Sequence, residues 1–302
     1  MPALSMVLAM PRALLIVNPR ATRVTAERVE VVQSELSRAA QVDVVWTERA
    51  GHAAELARDS DANAVVVFSG DGGFNEVLNG VRADLPVGFV PGGGSSVLPR
   101  ALGFPRDPVA AARLLGESLL DGHVRRIGVG RVNGRRFGFA AGLGFPAEIV
   151  RRVDDLGRRN GRRPPDRTFA VTVARSLFAR RGRLDPALEV DGEEAAFVLV
   201  ANGDPYTYLA RLPLRFAPEA RFEGGLDLMA PRRVRARSIP RLAVAAALGR
   251  KAPGVIYRHD VDSVEVQASS PLPLQVDGED LGDVQQAVFE SEREAVSVLV
   301  PR

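Results

Sequence analysis

The five residues 64–68, Ala-Val-Val-Val-Phe, run without a polar break into Ser69-Gly70-Asp71-Gly72-Gly73. A strand with no polar face has nothing to offer water, so both faces of its sheet must be covered by other elements. What precedes it agrees. Residues 13–17 read as a further buried strand and 42–46 as another strand, and between them residues 25–40 place Val29, Val32, Leu36 and Ala39 on one helical face. A second helical stretch, 51–57, leads into the 64–68 strand. Strand, helix, strand, helix, strand predicts a mainly parallel α/β sheet. A helix is expected from Asn75, another strand at 87–90, and helical segments over 99–120 interrupted at Pro105 and Pro108.

Beyond Gly122 the pattern changes to short alternating segments at 127–132, 135–140, 187–190, 195–201, 226–229, 263–267, 274–276 and 296–300. Asn133-Gly134, Asp191-Gly192 and Asp277-Gly278 stand between several of them, and such dipeptides favour tight antiparallel hairpins. Helical inserts are expected near 168–181 and 238–250, with an Arg-, Gly- and Pro-rich polar loop at 158–165. A chain of 302 residues, 46% hydrophobic, has room for two domains with their own cores. The expected division is an α/β domain over 11–122 and a β-rich domain over 123–295.

Composition removes several functions. No cysteine means no disulfide, thiolate zinc site or cysteine nucleophile. Three scattered histidines make no His-rich metal centre. The only lysine is Lys251, so neither a Walker A loop nor a protein-kinase strand lysine can be assembled. Forty Lys and Arg against thirty-seven Asp and Glu leave a net charge of +3, which gives no argument for nucleic acid. The longest aliphatic run, 242–248, falls far short of the roughly 20 residues that cross a bilayer. The apolar first residues lack a basic leader and pass through Pro11 and Arg12 into a strand, which argues against a signal peptide; a cytoplasmic protein is expected.

The chemistry concentrates in two glycine-rich loops. In the segment 69–80, glycines after a buried strand let the backbone approach a ligand and present amide N–H groups at a helix N-terminus, a setting that favours phosphate. Asp71 cannot itself attract phosphate, and its place there suits a magnesium ion or a magnesium-bound water. The same residues also suit a plain strand-to-helix turn capped by an Asp. The second loop, Pro91-Gly92-Gly93-Gly94-Ser95-Ser96, follows the next strand, and adjacent loops at strand carboxyl ends share one crevice.

These blocks, taken with Asn18-Pro19, Thr47 with Gly51-His52-Ala53, Pro218 with Ala220, Glu223-Gly224-Gly225-Leu226-Asp227 and Asp277-Gly278-Glu279, fall in an order that resembles the diacylglycerol kinase catalytic family, which includes sphingosine kinases and bacterial lipid kinases. The resemblance spans nearly the whole chain. Its most specific part is Gly70-Asp71-Gly72 with Asn75-Glu76-Val77 and Asn79-Gly80; the first part of that block is shared with NAD kinases and 6-phosphofructokinases.

The resemblance implies an N-terminal nucleotide-binding domain, a β-sandwich-like second domain, and a terminal strand, 296–302, returning to the first. It implies ATP and Mg2+ as cofactors. Thr47, Gly70, Asp71, Gly72, Gly73, Phe74, Asn75, Glu76, Gly92, Gly93, Gly94 and Ser95 would contact ATP, with Asp71 serving the magnesium-phosphate unit. Glu279 would be the general base that takes the proton of a lipid hydroxyl. A structural magnesium site would use Glu223 with Ala220 and Gly225, although Glu stands where the family usually has Asp. Read without the family, both acidic segments also suit solvated turns. Dimers through the second domain occur among such proteins, so a homodimer is an open expectation.

Several positions depart from the family pattern. The usual Thr after Gly-Asp-Gly is Gly73, the usual Gly-Thr-x-Asn-Asp block reads Gly93-Gly94-Ser95-Ser96-Val97, and Gly-Phe-Asp reads Gly144-Phe145-Pro146. Each removes a polar group from the expected cleft. A nucleotide-binding regulatory protein with little turnover, or a soluble-substrate kinase of the NAD kinase type, therefore stands beside the lipid kinase reading. A lipid acceptor also requires peripheral contact with a membrane. Arg175, Arg180, Arg181 and Arg183 around Leu177 and Phe178, and the Arg-rich run 232–241 beside 242–248, suit either an anionic membrane or packed helices with solvated arginines.

Overall fold

The structure, a computed structural model, describes residues 10–160, 166–209 and 212–302. Its first part alternates as the apolar spacing requires: β1 (Arg12–Val17), α1 (Ala26–Leu36), β2 (Gln41–Trp46), α2 (His52–Asp59), β3 (Ala64–Ser69), α3 (Asp71–Gly80), β4 (Val87–Pro91), α4 (Val97–Ala101) and α5 (Pro108–Asp121). The strands pair in parallel in the order β4-β3-β1-β2. All six residues of β3 are buried, because helices cover both its faces. Side chains set several helix ends. Thr25 accepts from the Arg28 N–H at the start of α1, Asp107 accepts from Ala110 ahead of Pro108, and Gly122 at φ 64° ends α5.

The rest is largely antiparallel: β5 (Val124–Val132), β6 (Arg135–Phe137), β7 (Ala140–Leu143), α6 (Phe145–Asn160), α7 (Asp166–Ala179), β8 (Leu188–Val190), β9 (Glu193–Ala195), β10 (Val198–Ala201), β11 (Thr207–Leu209), β12 (Leu212–Leu214), β13 (Leu226–Pro231), α8 (Ile239–Leu248), β14 (Val255–Val261), β15 (Ser263–Val276) and β16 (Glu279–Leu299). All strands but β11 and β12 join one fourteen-stranded sheet, with the path β14-β13-β10-β7-β15-β16-β4-β3-β1-β2. The expected class, parallel α/β followed by antiparallel β, is the observed one.

The long strand β16 joins the two parts. Its beginning pairs with β15, and near its end Val298 lies parallel to Val87 of β4. Val296, Val298 and Leu299 are buried in the core of the parallel strands, whereas Ala287 and Phe289 belong to a second core with Phe137, Val200 and Leu228. The Ser118 hydroxyl donates to the Val300 carbonyl at 2.7 Å, His123 Nδ1 lies 3.1 Å from the same oxygen, and the Ser297 hydroxyl donates to the Ala83 carbonyl.

Three expectations are corrected. Helix α3 begins at Asp71, not Asn75, so the glycines after Asp71 form its first turn. Helix α6 was not expected at all. It carries Arg158 to Asn160 in helical backbone where a polar loop was read; arginine is a good helix former, and Gly157 does not end the run. The remainder of that loop, 161–165, lies outside the described residues. Among the described residues no helix is long and apolar enough to cross a bilayer.

The join between β5 and β6 depends on a missing side chain. A Cβ on Gly130 would lie 2.0 Å from the Phe137 ring, which is fully buried. Gly130→Ala is expected to destabilise the fold by about 1–3 kcal/mol in chemical denaturation. In a Phe137→Ala background the same change should cost far less, because the clashing ring is gone; equal penalties in both backgrounds would contradict the packing described.

Candidate functional site

The parallel strands β1, β3 and β4 all end at one rim. Asn18 follows β1 and donates its backbone N–H to Phe68, Thr47 follows β2 and donates its N–H to Val17, and the two glycine-rich loops follow β3 and β4. The loops pack backbone on backbone. Gly92 donates its N–H to the Ser69 carbonyl at 2.6 Å, a Cβ on Gly92 would sit 2.8 Å from that oxygen, and one on Gly93 would sit 2.8 Å from the Gly70 Cα. Only glycine permits this approach. Arg106 donates to the Gly94 carbonyl and Arg100 to the Ser95 carbonyl, so two guanidinium groups brace the second loop.

One cavity opens between the loop after β1, the loop after β2 and the first turn of α3. Asn18, Arg20, Thr47, Ser69, Gly73 and Glu76 line it. The Ser69 hydroxyl is buried there without a hydrogen-bond partner. Gly73 explains its room: a Cβ at that position would lie 2.1 Å from the Ser69 oxygen. An orphaned hydroxyl beside helix-start amides can be satisfied by a polar ligand such as a phosphate-bearing one. The Glu76 carboxylate accepts from the Ala53 N–H at the start of α2, and His52 accepts from the Glu48 N–H, which closes the loop before that helix.

A second cavity, about 140 Å³ and largely apolar, adjoins α3 on its other side. Asp71, Val97, Tyr206, Gln275, Asp277 and Gly278 are among its walls, with Val150, Phe169 and Leu214 supplying apolar surface. Asp71 is buried, and its Oδ1 accepts from the Val97 N–H at 2.7 Å. Tyr206 donates no charge there: burial pushes its hydroxyl well above the usual range, and that hydroxyl accepts from the Gln275 amide.

Asp277 and Gly278 form the two-residue turn between β15 and β16, both at positive φ as a type I′ hairpin demands. The reading of Asp277-Gly278-Glu279 as a plain turn is thus right in backbone and wrong in the solvation of Asp277. The Asp277 carboxylate is fully buried. Its Oδ2 accepts from the Gly138 N–H at 2.6 Å and the Asn75 amide at 2.8 Å; its Oδ1 accepts from Phe139 at 3.0 Å and Ala140 at 3.1 Å. Burial raises its pKa, and these four donors pull the other way.

The expected site residues divide accordingly. Thr47, Gly73 and Glu76 line the first cavity, Asp71 and Ser95 the second, and the loops carrying Gly70, Gly72, Gly92, Gly93 and Gly94 pack beside them. The side chain of Phe74 faces elsewhere, edge-on to Phe89 in the core. Asn75 is a clamp: its amide nitrogen donates to Asp277 and to the Arg136 carbonyl, and its oxygen accepts from Arg135 at 3.1 Å. Glu279 begins β16 at the edge of this network, half exposed, with Arg135 Nη2 at 3.1 Å. Asp277 as a buried acceptor, Arg135 and Tyr206 were not singled out from sequence. Only folding brings residues 75, 135, 206 and 277 together.

Of the residues expected to hold a structural magnesium ion, the one carboxylate is already engaged. Glu223 is ion-paired with Arg125, so its charge is already met by a guanidinium. The Gly225 N–H donates to Asp260 at 2.6 Å, and Ala220 is buried in a small apolar cluster. Magnesium asks for several hard oxygens in octahedral array. Nearby, Glu219, Asp227 and His259 converge, but Glu219 pairs with Lys251 and buried Asp227 holds His259 at 2.8 Å, raising the pKa of that imidazole.

Known proteins resemble the chain in sequence and in fold. Residues 12–132 match the family profile of the diacylglycerol kinase catalytic domain. A diacylglycerol kinase of Staphylococcus carnosus (strain TM300) is 26% identical over 314 residues, covering 96% of this chain and 95% of its own. The crystal structure of a diacylglycerol kinase from Bacillus anthracis superposes with a TM-score of 0.70 at 20% identity, covering 96% of this chain and 97% of that one. An NAD kinase from Archaeoglobus fulgidus, solved in complex with ATP, shares the fold at a TM-score of 0.52 and 14% identity, covering 96% and 94%. Over residues 12–132 the chain is thus similar to the diacylglycerol kinase catalytic domain, and over nearly its whole length to a bacterial diacylglycerol kinase.

Proposed function

We propose that this chain is an ATP-dependent lipid kinase that transfers the γ-phosphoryl group to a lipid hydroxyl, acting from the cytoplasm on an acceptor of diacylglycerol-like or sphingoid-like kind. The observation that carries the reading is the placement of two cavities on either side of the α3 N-terminus: a polar one with glycine backbone and an orphaned serine hydroxyl, and a largely apolar one walled by Asp71 and Asp277. The names of its relatives and the ATP complex of a protein of the same fold support it.

On this reading the nucleotide phosphates lie against the first turn of α3 and the Gly92–Ser95 loop, where amide dipoles favour anions. Mg2+ carried by the nucleotide would neutralise phosphate charge, and Asp71 supplies the hard carboxylate oxygen nearest the α3 N-terminus. The acceptor chain lies in the apolar cavity with its hydroxyl toward the Asp277–Glu279 turn. The acceptor oxygen forms a bond to the γ-phosphorus as the bond from that phosphorus to the ADP oxygen breaks, and the hydroxyl proton passes to Glu279. Arg135 fixes the direction of that carboxylate, while Asp277 and Asn75 fix the turn that carries it. In the domain division proposed here, 11–122 against 123–295 with 296–302 returning, the reaction lies between the two.

One observation favours a second reading, a nucleotide-binding protein with little turnover. Val97 puts an apolar side chain into the second cavity where a carboxylate is usual for the family, and Gly73 takes from the first cavity the hydroxyl of the threonine usual at that position. ATP consumption measured with mixed micelles of diacylglycerol or sphingoid base, with NAD and with no acceptor separates the readings. Lipid-dependent turnover is expected, and ATP binding without turnover on any acceptor would establish the second.

Glu279→Gln should lower kcat by about 10²–10⁴-fold with little change in KM for ATP. Asp71→Asn should lower kcat by about 10²–10³-fold, and an unchanged rate in either variant refutes its assigned role. Asp277→Asn differs in kind, because an amide NH2 group would face backbone N–H donors. It should destabilise the protein by about 1–3 kcal/mol in urea denaturation besides lowering turnover, and stability equal to that of the parent would contradict the four-donor geometry.

A further inference from the structure

The outer faces of α7 and α8 do not look like faces turned to water. On α7, Val171, Ala174, Arg175 and Phe178 follow helical spacing and all are exposed, with Phe178 87% accessible. The opposite side, with Phe169, Thr172, Ser176 and Leu177, packs inward. On α8 the exposed row is Arg241, Val244 and Leu248, the last two 56% and 59% accessible, while Ala246 is buried. A water-facing helix normally carries charged residues of both signs here. Instead, neither 169–183 nor 232–251 contains a single Asp or Glu.

The two faces belong to one region. Leu184 and Val234 exchange backbone hydrogen bonds, a Cβ on Gly182 would lie 2.7 Å from Ala236, and Leu177, Ile239 and Leu242 pack on one small core. The end of α7 therefore abuts the start of α8. Arg180 is paired with Glu148, and Arg183 and Arg235 share Asp185. Arg181 and Arg237 are exposed at the junction. The same helices adjoin the apolar cavity: Phe169 of α7 lines it, and the Arg215 N–H just after β12 donates to the Ala246 carbonyl of α8. Leu212, at the start of β12, is exposed as well.

We infer that the outer faces of α7 and α8 form an interfacial docking surface for an anionic lipid bilayer, with Phe178, Val244 and Leu248 entering the headgroup boundary and Arg175, Arg181, Arg237 and Arg241 on lipid phosphates. Apolar side chains among cations, with no acid, are what an anionic interface selects. A second copy of the chain is the poorer occupant, because a symmetric contact would set arginine against arginine. The inference rests on the lipid kinase reading for its purpose: a bilayer held at this face brings the acceptor to the cavity beside it.

The test is vesicle flotation of the full chain with phosphatidylcholine alone and with about one third phosphatidylglycerol, at low and high salt. The parent protein should float with the anionic vesicles only, and salt should release it. The pair Arg175→Glu with Arg241→Glu should weaken flotation by about fivefold per arginine. A second pair, Phe178→Ser with Leu248→Ser, should weaken it without changing the charge. Both pairs alter exposed residues and should keep the parent melting temperature and the parent turnover on acceptor dispersed in nonionic micelles.

Flotation that is absent in the parent, or equal in parent and both variants, overturns the inference. So does a sedimentation mass that falls from dimer to monomer in the variants while flotation stays unchanged. Loss of flotation in the variants, in a parent that phosphorylates no lipid, keeps the docking surface and removes the lipid kinase reading.

Discussion

The Asp277 carboxylate accepts from three successive backbone amides at 138–140 and from the Asn75 side chain on α3, and the relation between the two parts of the molecule follows from that arrangement. The amides belong to the segment joining β6 to β7 and the first residue of β7, the acid to the turn joining β15 to β16, and the asparagine to the helix that opens with the glycine-rich motif. A buried carboxylate with fewer donors would be strongly disfavoured. With four it becomes directional, and it sets the distance from the nucleotide-side helix to the turn that carries Glu279. Asn75 and Arg135 extend the same network outward, so Glu279 is positioned through contacts that start in the interior.

Glycine has a parallel role on the other side of α3. Between Ser69 and Gly93 the backbone segments approach so closely that two of the glycines could not carry any side chain. The cavity there is lined by main-chain groups of the glycine-rich turn together with the polar side chains of Asn18, Thr47, Ser69 and Glu76. The departures from the family pattern at Gly73 and Val97 thus remove side chains from a site whose frame is built of peptide groups, which is why the frame survives them.

The parallel strands were legible because β3 is apolar throughout and the helices between strands keep one buried stripe. The hairpin turns were legible because Asn-Gly and Asp-Gly dipeptides demand left-handed backbone. Helix α6 was hidden by Pro146, Gly157 and the Gly- and Pro-rich stretch after it, which read as loop although the residues between them hold a helix. In the site, the motif positions could be found from spacing, but the solvation of each carboxylate could not. Asp277 and Glu279 sit two residues apart on a hairpin turn, one enclosed by four donors and the other half exposed beside an arginine. Strand alternation does not tell which is which. The same holds for Glu223, whose partner Arg125 is distant in sequence.

Strand β16 has a consequence for how the chain reaches this state. Its last residues complete the parallel side by lying against β4, some two hundred positions earlier in the sequence. While the polypeptide is being synthesised, β1 to β4 and their helices can form long before that neighbour emerges from the ribosome. Throughout that interval β4 presents an unpaired backbone edge and an uncovered patch of valine and phenylalanine, the setting in which nascent chains associate wrongly.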